Sequence, residues 1–125
     1  MSGGPNTDRT RVLVVEDEPL VAMMIESMLE DVGYVVVATA PSVSAGLAAV
    51  DENELDLAIL DMTLGRDSSF PIADALQDRG VPFVFASGYD ARSLPDKHNT
   101  RQVLSKPFTL KDLKSKLAAI GFHQA

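Results

Sequence analysis

The sequence predicts an α/β domain: a doubly wound parallel sheet of five strands, with helices covering both faces. Three observations carry this. Brief apolar runs recur along the chain, at residues 12–15, 34–38, 57–60 and 82–86, each too short for a helix. Segments with helical spacing of apolar residues separate them, and Gly or Pro stands at most of the joins. The runs are unbroken rather than alternating, which is how strands buried on both faces read. Strands that alternate with helices imply parallel pairing through crossover connections.

The first strand is Arg11 to Val15. The first helix spans about Glu18 to Val32, with an apolar stripe at Val21, Ile25, Met28, Leu29 and Val32 and with Pro19 in the tolerated first turn. Gly33 stops it. Tyr34 to Ala38 is the second strand, and Ser42 caps a second helix that carries Val43, Leu47 and Val50. Asp56 to Leu60 is the third strand. Met62 to Ser69 lacks a helical period and reads as a loop before a third helix from about Phe70 to Arg79, closed by Gly80. Pro82 to Ala86 is the fourth strand, followed by a turn at Ser87-Gly88-Tyr89-Asp90. The segment Ala91 to Thr100 has one large apolar residue, Leu94, and breaks at Pro95, so the fourth helix is expected to be short or irregular. Gln102 to Ser105 is the last strand. Thr109 and Asp112 form a capping-box pattern for a final helix with Leu110, Leu113, Leu117 and Ile120 on one stripe, ending at Gly121.

A chain of 125 residues fits one domain, here residues 11–121, with flexible tails at 1–10 and 122–125. A formal net charge of −7 weighs against binding a phosphate backbone, so no nucleic-acid partner is expected. No apolar stretch approaches the roughly 20 residues that cross a bilayer, so no membrane association is expected. The opening residues lack signal-peptide character and cysteine is absent, which together read as cytoplasmic. Neither His98 nor His123 has a partner motif, and both are expected to be exposed.

The chemistry lies where the apolar runs end. Val15 leads into Glu16-Asp17, Leu60 into Asp61, and Leu104 into Ser105-Lys106-Pro107. As parallel neighbours, these strands bring three carboxylates and one ammonium to the carboxyl edge of the sheet, where open α/β folds bind ligands. Packed close, each carboxylate pair repels by about 1 to 4 kcal/mol at effective dielectric constants of 80 to 20. A cation relieves this, and oxygen ligands alone suit Mg²⁺. Glu16 and Asp17 have a second reading as acids decorating a helix N-terminus. Asp61, ending an apolar strand, has no such local reason. Ser87 adds a hydroxyl to the same edge, and Pro107 constrains the backbone that aims Lys106. Together the parts describe phosphoryl capture by a carboxylate, with Asp61 attacking and Lys106 and Ser87 binding phosphoryl oxygens. No Walker A or Gly-rich nucleotide loop is present, so the donor comes from elsewhere.

These residues resemble a family. Val-Val-Glu-Asp-Glu at 14–18, Leu-Asp-Met at 60–62, Ala-Ser-Gly at 86–88 and Lys-Pro-Phe at 106–108 match, in order and spacing, the CheY-like receiver domain of bacterial two-component response regulators. The resemblance covers residues 11 to 121. It implies a flavodoxin-like (βα)5 fold in strand order 2-1-3-4-5, with Asp61 taking a phosphoryl group from a sensor histidine kinase or a phosphotransfer protein. It implies Mg²⁺ held by Asp17, Asp61 and the backbone carbonyl of Thr63, often with Glu16 through water. Receivers promote their own phosphotransfer and dephosphorylation, and Thr63 and Tyr89 are placed to tune the hydrolysis.

Two departures matter. Common receivers carry an aromatic switch residue three positions before the Lys, and here that position is Val103. Phe-Ala-Ser-Gly-Tyr at 85–89 instead is similar to the alphaproteobacterial Phe-Ala-Thr-Gly-aromatic variant, whose members often partner with kinases of the HWE or a related type. Tyr89 and the segment after it then replace the missing switch. The second departure is length, since only residues 121–125 follow Ile120, which reads as a stand-alone receiver acting as a relay, a phosphate sink, or a ligand for a downstream protein. Two rivals stand beside this reading. One is a receiver-shaped binding module that never accepts phosphate, against which Asp17, Asp61, Ser87 and Lys106 all argue. The other is a small enzyme or flavin carrier of the same topology, for which Asp67 is the only candidate general acid.

Overall fold

The computed structural model describes residues 9–88 and 103–122. The chain runs β1 (Arg11–Val15), α1 (Pro19–Asp31), β2 (Val35–Ala40), α2 (Val43–Glu52), β3 (Leu57–Asp61), β4 (Thr63–Leu64), β5 (Asp67–Ser68), α3 (Phe70–Asp78), β6 (Phe83–Ser87), β7 (Val103–Ser105) and α4 (Leu110–Ala119). The main sheet has the order β2-β1-β3-β6-β7, all pairs parallel. This is the expected order 2-1-3-4-5, with β6 and β7 as its fourth and fifth strands. The irregular fourth helix, the turn from Tyr89 on, His98, His123 and most of both tails lie outside the described residues.

Successive strand residues point to opposite faces. Leu13, Val15, Ala58, Leu60, Phe83 and Phe85 pack under α2 and α3, with Ile72 and Leu76. Val12, Val14, Leu57, Ile59, Val84 and Leu104 pack under α1 and α4, with Ile25, Leu29, Leu113 and Leu117. Both faces are covered, so β3 and β6 are buried along their whole length. The chain order turns back between β1 and β3, which opens a crevice at their carboxyl ends.

The helix signals operate as read. The Ser42 hydroxyl accepts from the Ala45 N–H, and Thr109 and Asp112 make both bonds of the capping box. Gly33 takes φ +91, which lets its N–H reach the Glu30 carbonyl and the Tyr34 N–H reach the Leu29 carbonyl, both at 3.0 Å. Tyr34 is therefore the last residue of a Schellman turn rather than the first of a strand.

Two expectations need correction. The second strand starts at Val35 and extends to Ala40, because a register shift pairs Val12 with Val36 but Leu13 with Ala38, leaving Val37 unpaired and exposed as a bulge. The supposed loop 62–69 contains a hairpin: Thr63 pairs with Ser68 and Leu64 with Asp67, antiparallel. Gly65, at φ +64, occupies the first central position of its two-residue turn, the place a type II′ turn reserves for glycine. Strands of two residues are too short to leave a period in the sequence.

Candidate functional site

Parallel register brings the ends of four strands, β1, β3, β6 and β7, level. Val15 pairs with Leu60, Asp61 with Ala86 and Ser87 with Ser105. The chain carries on past these ends without leaving the sheet edge: the Glu16 N–H bonds the Ala40 carbonyl, the Met62 N–H the Ala86 carbonyl and the Lys106 N–H the Ser87 carbonyl. Glu16, Asp61 and Ser87 are each buried.

Lys106 joins the acids. Its Nζ lies 2.8 Å from Glu16 Oε1 and 3.2 Å from Asp61 Oδ2. The Lys106-Pro107 peptide bond is cis. Burial pushes the Asp61 carboxyl up to about 6, and the hydrogen-bonded Glu16 carboxylate adds to this while Lys106 opposes it. For Lys106, burial alone would lower the pKa, but the hydrogen bond to Glu16 and the fields of Asp61 and Glu16 outweigh it and raise it.

The remaining acids have separate partners. Asp17 is half-buried and its Oδ2 accepts from the Gly65 N–H at 2.9 Å, which fastens the β4–β5 hairpin to the end of β1. Glu16 Oε2 accepts from the Glu18 N–H at 3.2 Å. Thr63 is exposed, and its N–H faces Asp61 Oδ1 at 3.4 Å. Val103 sits in β7 directly beside Phe85. Asp67 is exposed on the hairpin. Tyr89 lies outside the described residues.

Carboxylate oxygens of Glu16, Asp17 and Glu18 all lie within 4.8 Å of one another, a cluster able to coordinate a metal ion. Glu18 is the member that sequence reasoning left unassigned, although it adjoins the other two. The donors are hard oxygens, which suits a small divalent cation that keeps several of its waters. Oxygens of Glu16, Asp17 and Asp61 already face Lys106 or backbone N–H groups, so a cation bound here would take over contacts that these donors now make.

The response regulator receiver domain family matches residues 12–118. The chain belongs to that family. Receiver domains are phosphoacceptor signalling modules of two-component systems, not enzymes in the ordinary sense. Among relatives, the phyllosphere-induced regulator PhyR of Methylorubrum extorquens is 27% identical over 119 residues, covering 92% of this chain and 45% of its own. This receiver spans about half the length of the curated relatives it matches. SdrG from Sphingomonas melonis Fr1 is 44% identical with a TM-score of 0.81, covering 90% of this chain and 96% of SdrG. The BeF3-activated conformation of SdrG from Pseudomonas melonis Fr1 is likewise 44% identical, with a TM-score of 0.76, covering 88% of this chain and 94% of its own. Among the described residues no helix is long and apolar enough to cross a membrane.

Proposed function

We propose that Asp61 is the phosphoacceptor of this receiver and that it takes its phosphoryl group, in a Mg²⁺-dependent reaction, from the phosphohistidine of a sensor histidine kinase or a phosphotransfer protein. An Asp61 oxygen attacks phosphorus as the bond to the imidazole nitrogen breaks, and the imidazole leaves with the electron pair. Lys106, already 3.2 Å from Asp61, follows the charge onto a phosphoryl oxygen, and the Ser87 hydroxyl takes another. Asp17, Asp61 and the Thr63 carbonyl are the ligands for Mg²⁺, with Glu16 acting through water. Bound there, Mg²⁺ supplies neutralisation of the phosphoryl oxygens.

The observation that carries this reading is the ammonium shared by two buried carboxylates at the switch point of the sheet. A surface lysine ending a strand has no need of either acid. The 44% identity to SdrG, solved in a BeF3-activated conformation, supports it further, since BeF3 mimics a phosphoryl group on a carboxylate. The Phe-Ala-Ser-Gly-Tyr sequence and Val103 support a reading of the chain as the alphaproteobacterial Phe-Ala-Thr-Gly-aromatic type, and with it a kinase of the HWE or a related type as the donor. The output is contact with a downstream protein, transfer onward in a relay, or retention of the phosphoryl group as a sink.

Intact-protein mass spectrometry after incubation with acetyl phosphate and Mg²⁺ tests the reading. One phosphoryl adduct is expected on the wild type, lost with EDTA and lost in Asp61→Asn. An adduct that survives in Asp61→Asn, or none on the wild type, would overturn it.

A further inference from the structure

The geometry points to Arg66 as a steering cation that draws a doubly anionic phosphodonor toward the Asp61 carboxylate. This rests on the acceptor reading above and adds a residue that reading does not contain.

The site has a charge problem of its own. Glu16, Asp17, Glu18 and Asp61 crowd its edge, Asp67 stands on the adjoining hairpin, and the whole chain carries −7. Lys106 offers little attraction outward, because both acids beside it already hold it and its side chain is only 22% exposed. A dianionic donor therefore approaches a negative rim.

Arg66 is placed to offset that rim. The hairpin begins at Thr63, whose N–H lies 3.4 Å from Asp61 Oδ1. At about 3.3 Å per residue, no more than about 10 Å of chain separates Thr63 from Arg66. The tip does not swing freely, since the neighbouring Gly65 N–H is held 2.9 Å from Asp17 Oδ2. Arg66 is exposed, and among the described residues no carboxylate forms an ion pair with it, although Asp67 is its neighbour. A type II′ turn asks for glycine at its first central position and makes no demand for a cation at its second. The Arg66 cation, without a carboxylate partner among the described residues, is thus carried by a hairpin tip fastened to the edge of a phosphoryl-acceptor site, where its charge rather than its shape is what acts at a distance.

Acetyl phosphate provides the probe. Asp61 attacks its phosphorus, the P–O bond to the acyl group breaks, and acetate leaves with the electron pair, so no proton is needed. Rates of phosphorylation would be measured on the full chain with saturating Mg²⁺, for wild type, Arg66→Ala, Arg66→Glu and Arg66→Lys, over a range of donor concentrations. Near 0.1 M salt, where the screening length is about 10 Å, the rate constant at low donor concentration should fall about threefold in Arg66→Ala and about tenfold in Arg66→Glu. Arg66→Lys should stay near wild type, and the rate at saturating donor should not change in any variant. At about 1 M salt, with screening near 3 Å, the variants should converge on the wild type. Phosphoramidate, a monoanion at neutral pH, should discriminate less among the variants.

Equal rates for wild type, Ala and Glu at low salt would overturn the assignment, as would a loss undiminished at high salt, which belongs to a disturbed hairpin. A wild type that takes no adduct at all sinks the acceptor reading itself. A labelled wild type with indifferent variants sinks Arg66 alone.

Discussion

Replacing Asp61 with asparagine should make the metal-free protein more stable at neutral pH. The Asp61 carboxyl stands at about 6 against an ordinary 3.8, raised first by burial and then by Glu16. An acid with a raised folded pKa holds more protons folded than unfolded between the two values. Stability therefore falls as pH rises from about 4 to about 6 and is level above that. A tenfold shift in such an equilibrium is about 1.4 kcal/mol, so keeping Asp61 ionised in the fold costs at most about 3 kcal/mol at pH 7, the Lys106 contact included, and less where water screens the charge. Asparagine has the same shape without the charge and leaves the 2.8 Å pair of Lys106 with Glu16 intact. Imperfect pairing of its amide takes back on the order of 1 kcal/mol. A net gain of about 1 to 2 kcal/mol is the expected result. Urea denaturation of both proteins in EDTA, from pH 4 to 8, measures it, because the difference between the curves cancels the other titrating acids. The gap should open between pH 4 and 6. Adding Mg²⁺ should narrow it, since a ligand at ten times its Kd stabilises the folded state by about 1.4 kcal/mol and only the wild type retains the carboxylate. An asparagine variant less stable than wild type at pH 7 in EDTA, or a gap already full at pH 4, would refute the reasoning.

Lys106→Met should cost about 3 kcal/mol, because it strands the fully buried Glu16 side chain without a cation, and adding Glu16→Gln should recover part of the loss. A destabilisation under about 1 kcal/mol in urea would contradict the burial of that pair. Gly46→Ala should destabilise by about 1 to 2 kcal/mol despite its better helix propensity, since the added methyl would overlap Cδ1 of the fully buried Ile72 where α2 meets α3. Ile72→Val removes that methyl, so in a double-mutant cycle the two changes should be less than additive. Thr109→Ala should lower the melting temperature by removing one bond of the capping box, a loss of about 1 kcal/mol, with Thr109→Ser restoring most of it.

What the sequence made legible follows from the reach of each signal. Ser42, Thr109 and Gly33 act within four residues, and their bonds form as their spacing required. The unbroken apolar runs announced a sheet buried on both faces because no other environment removes both sides of a strand from water. The bulge at Val37 arises from how β2 meets β1, and nothing in Val35-Val36-Val37 distinguishes the last valine from the two before it. The hairpin depends on Asp17, 48 residues before Gly65, accepting its N–H. Leu20, Met23 and Met24 lie exposed on α1 while Ala22 is buried, because the rotation of a helix is set by what it packs against and not by which residues are larger.

The same distinction governs the candidate site. That Glu16, Asp17, Asp61 and Lys106 share one edge follows from strand order, but their division of labour does not. Lys106 approaches Glu16 more closely than Asp61, and Glu16 is the more deeply buried side chain. Burial first, and then the Glu16 carboxylate that shares the one ammonium, raise the Asp61 pKa although it sits beside a cation. A sheet edge left with one carboxylate more than its cations can balance is short of positive charge in the resting state. The proposed Mg²⁺ supplies it, and on this reading the electrostatic cost of the metal-free site is also what makes the site bind a metal.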